Sequence, residues 1–554
     1  MHYAMNKFIH QPRRFLIYLP PFGRAAVILA MAMFFTARAQ DQTNAVVASP
    51  VGQTNNPIPP EAVETNAAPV YATTLEDRTN LVEAATIQAT GQTNAIRMLT
   101  LEECITRAIA NNFDMRIQHI NPSIQNWGVV FAQGGYDPTI SGAGTLSESL
   151  TPHPRPEPAS ESDAILTDLS LGGKLASGAS YSLFATDNRF TPTVRSNFVY
   201  TGTAGIQLTQ PLLKNFGFDV NTATIRIARK NRNIAVQNFL LQTINSISAV
   251  NNAYYELIFA IEDYKSKRED LDLAQELLGQ DRQRLRIGTM SPLDVVQAEA
   301  GVAERQQAII LAARTIKDDE NALKLLISQN VREFQGQSLV PVESPVVQPA
   351  DMDVDRSINV ALRLRPDYIA SIQTVERQNI QIKFTRNQLW PEIDIGGSYG
   401  WNDGGNSYGN WVGNLPAWSA GVSVTFPLGN RQARATYNSA RLTADQLLLQ
   451  LKQLEQQIVV AVDNAVGHVR TNYESVLATR AATRAAEESY KAERKKLETG
   501  TSTTFLVLQA ESLLLDARSA QIRAEADYNE SLVALAQAEG STLQKHHIQL
   551  NEEF

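Results

Sequence analysis

The 554-residue sequence contains a single cysteine, Cys104. One thiol cannot close an intramolecular disulfide or supply a cysteine-based zinc site. Histidine is scarce as well: of the seven (His2, His10, His119, His153, His468, His546 and His547), only the last two are adjacent. That pair stands in a polar C-terminal stretch without a third ligand nearby, so it reads as solvated surface. No metal and no other cofactor is expected. Basic residues are in the minority, 49 Lys and Arg against 57 Asp and Glu, for a net charge of −8. No long basic run is present to neutralise a phosphate backbone, which argues against nucleic acid as a partner. Also missing are a G-x-S-x-G elbow, an H-E-x-x-H pair and a Walker loop. Acidic pairs such as Glu102-Glu103, Asp318-Asp319 and Glu487-Glu488 lie in polar, helix-forming sequence and read as solvated faces. An enzyme is therefore not expected.

Long apolar runs are absent too. The run from Ala25 to Thr36 has 12 residues, too few to cross a hydrocarbon core of about 30 Å as a helix. Arg13, Arg14 and Arg24 precede it and Ala37-Arg38-Ala39 follows, so 1–39 reads as an export signal peptide. No cysteine follows the cut, and no N-terminal acylation is expected. Residues 40–97 are rich in Ala, Thr, Asn, Pro and Gln, with Thr-Asn recurring at Thr43, Thr54, Thr65, Thr79 and Thr93. So little apolar surface reads as a disordered linker.

What is present is a sequence stated twice. Gly288 aligns with Gly500, with Leu285 and Leu497 three residues before and Thr289 and Thr501 one after. Val295-Val296-Gln297-Ala298-Glu299 then matches Val507-Leu508-Gln509-Ala510-Glu511 without a gap, and Asn252-Ala253 matches Asn464-Ala465 in the same register. Pro211-Leu212 and Pro427-Leu428 close a strand-like segment in each half, and Pro138 and Pro391 open one. An ordered series of such matches indicates a tandem duplication. The copies span 98–340 and 351–540, separated by a Pro- and Val-rich connector and followed by a polar tail, 541–554.

Within each copy the periodicity switches. Leu447, Leu451, Leu454, Ile458, Ala461 and Ala465 recur at spacings of four and three, as do Leu271, Ala274, Leu278 and Leu285 in the first copy. These heptad seams predict long helices over about 220–287 and 430–497, with returning helices over about 292–331 and 503–539. At 1.5 Å per residue the longer ones reach about 100 Å. The segments 138–211 and 391–427 alternate instead. Trp418, Ala420, Val422, Val424 and Phe426 oppose Ser419, Gly421, Ser423 and Thr425; Ile393, Ile395, Tyr399 and Trp401 oppose Glu392, Asp394, Ser398 and Gly400. Apolar outside and small or polar inside suits strands with lipid on one face and water on the other. Tyr399, Trp401, Trp411 and Trp418 would form the interfacial aromatic belt. About four strands cannot close a lined barrel alone, so several chains must share one.

This plan, with Ile287-Gly288-Thr289 before Asp294, Thr499-Gly500-Thr501 before Val507, and strand-to-helix junctions at Pro211 and Pro427, resembles the TolC family of outer-membrane efflux proteins. The resemblance covers about Leu99 to Gly540. It implies an α+β membrane protein: an antiparallel coiled-coil tunnel in the periplasm, joined to a β-barrel in outer-membrane lipid. Three protomers would share that barrel, with about four strands each. It also implies a homotrimer whose tip, at Ile287, Gly288, Thr289, Thr499, Gly500 and Thr501, docks a periplasmic adaptor and through it an inner-membrane transporter. Asp294 matches an acidic position of the family's pore gate; as an alternative, it caps the following helix. Leu506, Gln509 and Ser502 stand where the second copy of the family's gate carries charge. The first strand region departs from the family in length, 73 positions from Pro138 to Pro211 against 36 from Pro391 to Pro427. The excess, including Ile165–Leu169 and Ser180–Phe184, predicts an additional hairpin. The competing expectation is a soluble periplasmic coiled-coil adaptor or a structural protein.

Overall fold

The computed structural model describes residues 74–91, 94–151, 160–190, 199–350, 352–405 and 415–549. The signal peptide, linker residues 40–73, Trp411 and the last five residues of the tail lie outside them.

Two helical hairpins dominate. In the first, α5 (Ala223–Arg286, 64 residues) turns into α6 (Pro292–Ile327, 36 residues); in the second, α9 (Arg431–Glu498, 68 residues) turns into α10 (Thr504–Glu539, 36 residues). The seams are those of packed helices. Ala274 and Leu278 on α5 meet Val295, Ala298 and Val302 on α6. On α9 the buried line runs Ile458, Val462, Ala465, Val469. Val462 thus takes the place expected for Ala461, because the larger side chain one position on fills the seam.

Shorter helices lead into each strand region: α3 (Phe113–Gln133), preceded by α2 (Leu101–Asn111), and α8 (Pro366–Asn387), preceded by α7 (Val354–Leu364). From α3 rise β2 (Thr139–Thr151), β3 (Ser160–Lys174), β4 (Ser180–Phe190) and β5 (Val199–Pro211), and from α8 rise β7 (Glu392–Gly405) and β8 (Leu415–Thr425). They form one antiparallel six-stranded sheet in the order β2-β3-β4-β5-β7-β8. The sheet therefore holds six strands where about four were expected, because the first copy contributes two hairpins. Both strand-to-helix junctions turn through left-handed backbone: Asn215 (φ 61°) and Gly217 (φ 94°) after Pro211, Gly429 (φ 86°) and Asn430 (φ 42°) after Pro427. A one-turn helix, α4 (Phe218–Asn221), follows the first junction.

A second small sheet pairs β1 (Ala95–Leu99) with β6 (Gln337–Pro341) in parallel against the flank of α5 and α6. Above it lies α1 (Leu75–Thr90), so the reading of 40–97 as linker fails for its last part. A capping box explains the helix: Asp77 N donates to Thr74 Oγ1 at 3.1 Å and Thr74 N donates to Asp77 Oδ2 at 3.4 Å. Leu81, Val82 and Ala85 then bury one face. Arg78, 1% exposed, pins α1 by an ion pair to Glu262 at 3.3 Å and bonds to Pro341 O, Glu343 O and Ser344 Oγ. The C-terminal stretch also docks, through α11 (Thr542–Lys545), with Leu543 and Ile548 packed on the core around α5. Among the described residues, no helix is long and apolar enough to cross a membrane.

Candidate functional site

Three features frame the candidate site: the hairpin tips, the polar seam above them, and the sheet at the other end.

The tips share one geometry. At the first, Gly288 (φ +78°) donates to Leu285 O at 3.0 Å and Thr289 N to Arg284 O at 2.9 Å. At the second, Gly500 (φ +75°) donates to Leu497 O at 3.1 Å and Thr501 N to Lys496 O at 2.9 Å. Each is a Schellman cap, in which a left-handed residue folds two amides back onto the last carbonyls of the helix. A Cβ on either glycine would meet nothing within 4 Å, so φ and not space requires glycine there. The returning helix restarts on Ser291, whose hydroxyl accepts from Leu293 N at 3.2 Å while Asp294 Oδ2 accepts from Ser291 N at 3.3 Å. Asp294 is thus the reciprocal partner of the cap, with Ser291 as the N-cap residue. Thr503 opens the second returning helix. Ile287, Leu293 and Phe505 are exposed beside these turns. Leu293 and Phe505 occupy the same position of the repeat, a match that hydrophobic periodicity alone does not single out.

Between the hairpins runs a ladder of polar contacts joining α5 to α10. Thr504 Oγ1 donates to Asp281 Oδ2 at 3.1 Å, and Ser519 Oγ to Asp263 Oδ1 at 2.8 Å. At its centre, Arg305 of α6 lies 2.7 Å from Asp270 of α5 and 3.1 Å from Glu511 of α10. All three are buried. Two carboxylates share the Arg305 guanidinium, and burial outweighs that cation together with the more distant Arg494 and Arg518. It raises Asp270 and pushes Glu511 from 4.5 up to about 7. Burial raises Asp281 as well. Apolar contacts accompany the ladder, with Leu277 of α5 against Leu497 and Val507 of the second hairpin.

At the opposite end the sheet has two faces. Ile140, Leu171, Leu183, Ile206, Tyr399 and Trp418 stand in one unbroken row across all six strands. One residue along, the row reads Thr139, Gly172, Ser182, Gln207, Ser398, Ser419. Across these two rows the pleat separates an apolar face from a mostly hydroxyl-bearing one, as lipid outside and water inside require. Tyr399 and Trp401 stack edge to face with centroids 5.3 Å apart, and Trp418 pairs across the strands with Tyr399. Pro211 closes β5 beside Asp394 and is buried, whereas Pro427 lies past the end of β8 and is exposed.

A family model described as outer membrane efflux protein matches residues 166–329 and 357–541, one segment in each copy of the repeat. The chain is 24% identical over 448 residues to the outer membrane efflux protein BepC of Brucella suis, covering 80% of this chain and 85% of BepC. It is 22% identical over 360 residues to the outer membrane protein TolC of Vibrio cholerae, covering 63% and 78%. The structure of the CmeC outer membrane channel of Campylobacter jejuni superposes with a TM-score of 0.62 at 16% identity, over 82% of this chain and 90% of CmeC. That of VceC from Vibrio cholerae gives 0.60 at 18%, over 79% and 96%. A soluble adaptor would have no use for a sheet whose outward row is apolar from edge to edge, and that reading falls. With both copies of its repeat matched, the chain belongs to the outer membrane efflux protein family and is an outer-membrane channel, not an enzyme.

Proposed function

We propose that three copies of this channel assemble side by side into one exit duct, whose helical tip meets a periplasmic adaptor and through it an inner-membrane transporter. The observation that carries the assembly is a stripe on α3. Phe113, Ile117, Ile120, Ile124, Trp127 and Phe131 recur at spacings of four and three, and all are exposed, Trp127 to 72% and Phe131 to 88%. A heptad seam facing water lacks the helix it is patterned for. On the sheet-side half of α9, Leu442 and Leu449 are likewise exposed and seven residues apart, which suits the α9 of one copy to the α3 of the next. Trimer closure then buries both.

The adaptor is proposed to dock on Ile287, Gly288, Thr289, Thr499, Gly500 and Thr501, with Leu293 and Phe505 as its apolar anchors. Asp294 would serve there as both cap partner and pore-mouth charge. The ladder Asp281–Thr504 and Asp270–Arg305–Glu511 would hold the two hairpins of a copy together while the tip is shut. The mass of the protein extracted from outer membranes in mild detergent tests the assembly. A trimer is expected; a monomer released with the soluble periplasmic fraction overturns it.

A further inference from the structure

We propose that the barrel closed by the three copies has eighteen strands, six from each, so that its bore is half as wide again as that of a barrel built from four strands per copy. The proposal rests on the trimer reading and adds to it the stoichiometry and the edge-to-edge interface of the membrane section.

The two further strands span the membrane and are not a surface loop. A tilted strand needs about 9–11 residues to cross the hydrocarbon core, and β3 and β4 have 15 and 11. Their connecting turn lies at the helix end of the sheet, seated on the β5-to-α5 junction. Gly217 N donates to Ser177 O at 3.1 Å, and Gln210 Nε2 to the same oxygen at 3.4 Å. Gly178 (φ +97°) is packed so closely there that a Cβ would stand 2.2 Å from Asn215 O and 3.2 Å from Pro211. The hairpin therefore starts from the far end of the sheet, reaches the helices and returns. Over its helix-side part it keeps both faces, Leu169, Leu171 and Leu183 outward against Gly172, Ser182, Asp168 and Thr186 inward; toward the far end the outward row turns polar at Asp187, level with Asp403 on β7.

The edges select the partner. In the described sheet, β2 pairs only with β3 and β8 only with β7, so each presents one row of unpaired amides and carbonyls. In lipid those groups have no water to bond, and an open edge cannot persist. β2 runs away from the helices and β8 runs back toward them. With an even number of strands per copy, the β8 of one copy meets the β2 of the next antiparallel, the pairing already used throughout the sheet. The apolar row ends in Ile140 on one edge and Trp418 on the other, 76% and 77% exposed, and closure makes it continuous around the ring. For strands about 4.8 Å apart and tilted about 40°, eighteen give a backbone diameter of about 36 Å and twelve about 24 Å.

The test is an end-on image of the full-length protein in detergent or lipid discs, with its mass measured on the same sample. A trimer with a ring of eighteen strands, about 36 Å across, is expected. A trimer with a twelve-stranded ring about 24 Å across overturns the inference and leaves the trimer standing; a complex that is not a trimer overturns both. Excising residues 160–190, so that β2 leads directly to β5, should narrow the ring by about one third. A ring of unchanged width in that variant overturns the proposal, and if the variant does not assemble, the parent ring decides.

Discussion

Replacing Glu511 with Gln should lessen the fall of this channel's stability as pH rises. Glu511 and Asp270 share Arg305 inside the ladder between the hairpins, and burial raises Glu511 from 4.5 to about 7. A carboxyl whose folded pKa is raised binds its proton more tightly in the native state. Its effect is therefore neutral below pH 4.5, and stability falls as pH rises from there to about 7, where the native state must also release the proton. At 1.36 kcal/mol per unit, the loss is about 3 kcal/mol. Glu511→Gln keeps the volume, leaves Arg305 paired with Asp270 alone, and removes the titration. Thermal unfolding of the extracted protein, followed by far-UV circular dichroism between pH 5 and pH 8, reads the difference. The parent should lose stability across this range relative to the variant, and the variant should be the more stable at pH 8. Parallel curves for the two proteins would refute the account of a shared guanidinium.

Gly288→Ala and Gly500→Ala should each strain the left-handed cap by about 1–2 kcal/mol; transport should fall while the yield of assembled protein in the outer membrane stays the same. Leu293→Asp with Phe505→Asp should weaken adaptor capture in pull-downs at least tenfold, since burying each side chain is worth about 1.5–3 kcal/mol, and leave the trimer mass unchanged. Arg78→Ala should leave Glu262 without its buried cation, at a cost of about 3–5 kcal/mol, seen as faster hydrogen exchange confined to Leu75–Thr90. Asp294→Ala should remove the reciprocal half of the cap at a cost of about 1 kcal/mol, and shift single-channel ion preference toward anions; an unchanged preference would refute the pore-mouth role proposed for this carboxylate.

The long helices were legible because nothing interrupts their heptads, and the tips because glycine and threonine recur at the same places in both copies. The apolar face of β7 and β8 was legible because Trp418, Val422 and Val424 alternate with serines. In β3, Gly172-Gly173 and Asp168 blur the alternation, so in the first copy the additional hairpin was legible from the excess of length, while its place in the sheet came from hydrogen bonding. The helix α1 was missed because Thr-Asn-rich composition surrounds it; the signal was Thr74 three residues ahead of Asp77, followed by Leu81, Val82 and Ala85. Arg305 could not be identified as central from sequence, since its partner Glu511 stands 206 residues away and each looks like one more charge on a helical face.

The two returning helices have the same length, 36 residues each, and follow glycine turns of the same geometry. Both tips of one copy thus end in the same backbone shape, although their flanks differ, Ile287 and Asp294 at one against Thr499 and Leu506 at the other. A threefold assembly then presents six backbone seats of one kind carrying two alternating chemistries. A partner that reads only the glycine turn encounters sixfold symmetry and binds in six copies, and one that reads the flanking side chains encounters threefold symmetry and binds in three.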